Sequence, residues 1–116
     1  MVPMQDMWVY FVVMTWVGLL LAGIGIPFIR GRIPPNALAG FRTAKTLGNP
    51  DVWYTANRIM GWDLLLTGVI VLVSTGALFL LRHSYPFDRL VLVNTFVILG
   101  AVTWMIVHGL WKLSKL

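Results

Sequence analysis

The sequence predicts an all-α membrane protein, with three transmembrane helices and a basic cytoplasmic loop and short interfacial helix between the first and second. Three observations carry that prediction. The 116 residues are 59% hydrophobic and only 11% charged, against roughly a quarter charged in soluble domains. Three uncharged runs are each long enough to cross a bilayer, and most basic residues collect in the segments between and after them. We read residues 1–116 as a single integral membrane domain, with spans at about 7–29, 62–81 and 90–111 and a polar motif region at 36–61.

The first span, 7 to 29, carries no formal charge and gives about 35 Å of helix, more than the roughly 30 Å hydrocarbon core requires. Asp6 precedes it and no Lys or Arg does, so the positive n-region of a cleaved signal peptide is missing and the span is expected to be retained. Pro27 is expected to kink or loosen its last turn. The second and third spans have uncharged cores at 64–81 and 90–111. Only residues 82–89, with Pro86 and Asp88, join them, which predicts an antiparallel hairpin with Asp88 as N-cap of the third helix.

Loop charge orients the bundle. Arg30, Arg32, Arg42, Lys45 and Arg58 in the first loop and Lys112 and Lys115 in the tail lie on one side, and Arg82 and Arg89 on the other. The positive-inside rule then places the N-terminus outside and the C-terminus in the cytoplasm. The net charge of +5 is accounted for by topology and anionic headgroups, so nucleic acid is set aside as a partner and the bilayer takes its place.

Trp8, Tyr10, Trp16, Tyr85, Phe87, Trp53, Trp62, Trp104 and Trp111 suit aromatic belts at the two interfaces. Gly18 with Ala22, and Gly68 with Gly76, suit close helix approach.

The polar run from Asn36 to Gly61 is the unusual segment. Pro34-Pro35 takes the chain out of the first span in an extended or turning form. Gly40 supplies a turn or a close backbone approach. Arg42-Thr43 and Lys45-Thr46 are two cation-hydroxyl pairs three residues apart, suited either to gripping a phosphate or carboxylate or simply to fixing topology. Asn49-Pro50-Asp51 reads as a helix start, with Asn49 as N-cap and Pro50 at the first helical position. From there Trp53, Asn57 and Gly61 share one face, Tyr54 and Arg58 lie on the next stripe, and a bend near Gly61 would lead into the second span.

Asp63 is the least expected ionisable residue. It either pairs with a loop arginine such as Arg42 or Arg58 or handles a proton or cation. Asn94 in the third span reads as interhelical glue, and His108 as a side chain that snorkels or bonds a carbonyl. Zero cysteines exclude thiol chemistry. His83 and His108 form no metal spacing, and no catalytic constellation is present, which points away from an enzyme, a metal centre or a cofactor.

The pattern Asn36-x3-Gly40-x-Arg42-Thr43-x2-Thr46-x2-Asn49-x3-Trp53-x3-Asn57-x3-Gly61 resembles the signature of the SdpI family of small bacterial membrane proteins. The likeness covers residues 36–61 well and the following hairpin more loosely, while the first span matches only in kind. It implies a non-enzymatic inner-membrane protein conferring immunity to a secreted antimicrobial peptide toxin, by binding the toxin or a cytoplasmic regulator. A small transporter or an accessory subunit of a larger complex is the alternative, one that requires a homo-oligomer. Candidate binding or motif residues are Asn36, Gly40, Arg42, Thr43, Lys45, Thr46, Asn49, Trp53, Asn57, Arg58, Gly61 and Asp63.

Overall fold

Why the chain folds as it does is clearest at its helix ends. The computed structural model describes residues 4–36, 40 and 42–116, so positions 37–39 and 41 of the polar run lie outside the described residues. Among these are four helices and no strand: α1 (Met4–Ile29), α2 (Ala44–Leu47), α3 (Pro50–Leu80) and α4 (Phe87–Ser114). The three long helices are each apolar enough to cross a membrane, as the three uncharged runs predict.

Helix α1 continues through Pro27 and stops at a glycine that sequence reading passed over. Gly31 takes φ +66°, a conformation that costs a residue with a Cβ. Its N–H donates to Phe28 O (3.2 Å) and the Arg32 N–H to Pro27 O (3.0 Å), the paired bonds of a Schellman stop. Arg58 Nε donates to Ile29 O (3.2 Å), so a side chain of α3 caps α1.

At the start of α3, Asn49 Oδ1 accepts from the Asp51 N–H (2.9 Å), with Pro50 at the first position, as expected. The expected bend near Gly61 does not interrupt the helix: α3 runs unbroken through it for 31 residues. Nor is Asp88 the N-cap of α4. Pro86 holds that position without a side-chain cap bond, and Asp88 falls in the first turn, where its charge favours the helix macrodipole.

Helix α3 is the spine, with α1 and α4 packed on it and α2 resting near its start. The α1/α3 seam is built from glycines seven apart, Gly18 and Gly25 on one helix and Gly68 and Gly61 on the other. A Cβ on Gly68 would lie 2.5 Å from Ala22 N and 2.6 Å from Gly18 O, so these backbones touch. Ala22 is therefore at the seam as expected, but Gly76 is not, since nothing lies within 4 Å of where its Cβ would be.

The α3/α4 seam is polar by comparison. Fully buried Asn94 accepts from Ser74 Oγ (2.7 Å) and donates through Nδ2 to Tyr10 Oη (2.9 Å) and Thr75 Oγ1 (3.4 Å). One amide thereby joins all three long helices, which is the glue role expected of it, and a buried amide left unmatched in lipid would be costly. Near it, at the Arg82 end of the bundle, Phe11, Leu78 and Leu90 form the apolar core, flanked by Tyr10, Phe79 and Phe87. Phe11 and Phe79 meet edge to face at 5.3 Å, and Tyr10 and Phe87 at 5.5 Å. Tyr10 and Phe87 thus pack against the core, whereas Trp8, Trp16, Tyr85, Trp62, Trp104 and Trp111 are exposed.

Candidate functional site

The described residues of the polar run form a joint at the opposite, basic end of the bundle, with Trp53 at its centre. Trp53 is fully buried, so it is no belt residue, and its indole N–H donates to Ile33 O (2.9 Å), tying the chain after α1 to the first turns of α3. Asn57, one turn on and also buried, donates through Nδ2 to Trp53 O (2.9 Å). Gly40 sits against both side chains at φ +113°. A Cβ there would lie 2.8 Å from Asn57 Oδ1 and 2.9 Å from the Trp53 ring, so both the backbone angle and the space require glycine. Asn36 Nδ2 donates to Pro34 O (2.8 Å).

The two threonines are used locally. Thr43 is the N-cap of α2 and forms a capping box with Thr46: the Thr46 N–H donates to Thr43 Oγ1 (3.2 Å) and the Thr43 N–H to Thr46 Oγ1 (2.7 Å). The Thr46 hydroxyl donates back to Thr43 O (3.1 Å), and its side chain is fully buried. A turn of only four residues is held this way, and these hydroxyls point into the turn rather than at a ligand. Lys45, between them, reaches across to Leu113 O (2.9 Å) and caps α4. Arg58 and Lys45 are thus helix caps for α1 and α4 respectively, while Gly61 faces Gly25 across the glycine seam. Exposed on the rim of the joint are Arg30, Arg32 and Arg42.

A model of the SdpI/YfhL protein family matches residues 32–111, about two thirds of the chain. The chain belongs to that family. No curated protein and no solved structure matches it. The SdpI/YfhL segment begins just after the Schellman stop of α1, so α1 lies outside the matched region although it contributes half of the glycine seam.

Within the SdpI/YfhL segment, α3 and α4 also share a carboxylate–imidazole contact that the sequence does not announce. Asp63, 5% exposed, lies 2.7 Å through Oδ2 from His108 Nδ1. The expected partners Arg42 and Arg58 are not used. Arg58 is five residues back, about 140° around α3 at 100° per residue, so it faces α1 while Asp63 faces α4. His108 therefore neither snorkels nor bonds a carbonyl. The Trp104 ring stacks on it at 4.8 Å and 7° between planes, which holds the imidazole against the carboxylate. One turn deeper, the Thr67 hydroxyl approaches Met105 Sδ at 3.8 Å.

Removing the imidazole should expose the cost of the carboxylate. His108→Ala is expected to destabilise by about 1 to 3 kcal/mol, because Asp63 is left buried without its partner. The Asp63→Asn/His108→Ala double variant should recover part of that loss, read from thermal midpoints of the detergent-solubilised protein. A double variant no better than His108→Ala alone would show that the pair does not hold α4.

Proposed function

We propose that this protein is a non-enzymatic, SdpI-type inner-membrane protein that protects its cell from a secreted antimicrobial peptide, with the N-terminus outside and the C-terminus in the cytoplasm. The basic end engages the toxin or a cytoplasmic regulator through an anionic group. One observation carries this reading. The buried motif residues Trp53, Asn57 and Thr46 are consumed in the joint and Gly61 in the glycine seam, while Arg30 and Arg32 stand exposed at that end. A fixed mount with a cationic rim suits recognition of carboxylates or phosphates more than chemistry. Family membership supports the resistance role, and the distribution of loop charge supports the orientation.

The decisive assay challenges a sensitive strain with a panel of secreted peptides, with and without this protein. Survival is expected to rise with the protein and to fall back in an Arg30→Gln/Arg32→Gln variant that still reaches the membrane. Survival unchanged by the protein across the panel would sink the reading.

The Asp63–His108 pair favours a second reading, a subunit of a proton-coupled transporter, in which Asp63 and Asn94 line a polar path along α3/α4 of an oligomer. Asp63→Asn run in the same challenge separates the two. Retained protection argues for the first reading, and loss of protection with normal membrane abundance argues for the second.

A further inference from the structure

At the end of the bundle away from the basic joint, two adjacent cavities on the flank between α1 and α3, both lined by Trp8, Phe11 and Phe79, make up a trough. Its larger part, 540 Å³, extends along α1 to Leu19 and along α3 to Leu72. Its smaller part, 340 Å³, opens at Arg82 and His83, just past the end of α3. The floor is open at Gly76, where an added Cβ would meet nothing within 4 Å.

The wall makes no demand for a polar ligand. The Thr15 hydroxyl donates to Phe11 O (2.8 Å), and the Thr75 hydroxyl oxygen accepts from Asn94. The mouth differs. Arg82 lies over the Phe79 ring, 4.1 Å from its centroid, and gives one N–H to Phe79 O (2.8 Å). That bond fixes the guanidinium, and among the described residues no carboxylate pairs with it. Asp6 and Asp88, the acidic residues at this end, are both exposed. Arginine offers five donors in a planar fork suited to phosphate, so most of the fork is free to face a ligand.

Length identifies the occupant. From Trp8 to Leu19 the trough follows α1 for about 16 Å at 1.5 Å per residue. The hydrocarbon core is roughly 30 Å thick, so the trough reaches from one membrane surface to about the midplane. A peptide spanning the core would run on for about twice that length, whereas one acyl chain spans a single leaflet. We propose that the trough binds one acyl chain of an anionic phospholipid from the adjacent leaflet, with the lipid phosphate on Arg82.

Native mass spectrometry of the detergent-solubilised protein, offered phosphatidylglycerol or phosphatidylcholine with identical acyl chains, tests this. The intact protein is expected to retain one phosphatidylglycerol per chain, with about tenfold preference over phosphatidylcholine, the scale of a charge-assisted contact. Gly76→Leu places its Cβ in open space at the floor and replaces a poor helix former with a good one, so it should fold and lose retained lipid by about tenfold. Arg82→Gln should keep lipid but lose the headgroup preference. Equal retention by Gly76→Leu, no headgroup preference in the intact protein, or a dimer or co-purifying peptide displaced by Gly76→Leu would each overturn the proposal.

Discussion

Trp53→Ala is expected to cost about 3 to 5 kcal/mol, the range for deleting a large buried aromatic side chain. The side chain is fully buried and lies at the basic end, one turn inside α3 and ahead of its apolar 64–81 stretch. Water competes for surface there, so its burial carries a hydrophobic driving force that lipid-facing residues lack. Two further losses follow. Ile33 O loses the indole N–H that holds the segment after α1, and Gly40 loses the ring it packs against. Trp53→Phe separates these contributions. It keeps most of the packing but leaves Ile33 O without its donor, so about 1 to 3 kcal/mol is expected. Both are read from chemical denaturation of the detergent-solubilised protein followed by far-ultraviolet circular dichroism. If Trp53→Ala falls within about 0.5 kcal/mol of the intact protein, as a neutral surface change would, the joint is not held together at this residue.

What is legible in the sequence divides along a physical line. The three spans announce themselves because a long uncharged run has few fates other than a bilayer. The start of α3 at Asn49-Pro50-Asp51 is legible because capping is local chemistry. The shared face of Trp53, Asn57 and Gly61 follows from helical spacing alone, but spacing does not say what the face meets. Trp53 and Asn57 meet Gly40, and Gly61 meets Gly25. Two features were open to sequence reasoning and missed. The Thr43–Thr46 box carries a local capping spacing, and Gly31 followed by Arg32 is an ordinary helix stop. The Asp63–His108 pair was not open to it. The residues are 45 apart, and their meeting depends on the register of α4 against α3, which Asn94 helps to set. Lys45 reaching Leu113 depends on the same register.

Gly61→Val is expected to cost at least about 3 kcal/mol, beyond the usual middle of the overpacking range. A Cβ at position 61 would lie 2.7 Å from Gly25 O and 2.9 Å from Ile29 N. These are backbone atoms of a helix, with no rotamer through which to yield, so α1 and α3 must move apart. That motion is shared by the whole seam, because Gly18 and Gly68 are in the same close contact two turns away. It also stretches the Arg58 cap on Ile29. In lipid no hydrophobic force compensates, since the helices trade packing against each other for packing against acyl chains. Position 76 supplies the internal control. It lies on the same helix and looks equivalent in the sequence, yet Gly76→Ala meets nothing and should be neutral or gain up to about 1 kcal/mol from helix propensity. Thermal midpoints that fall for Gly61→Val and Gly68→Val but not for Gly76→Ala would place the α1 contact at the two seam glycines. A uniform response at all three positions would mean that α1 does not ride on the backbone of α3 at this distance.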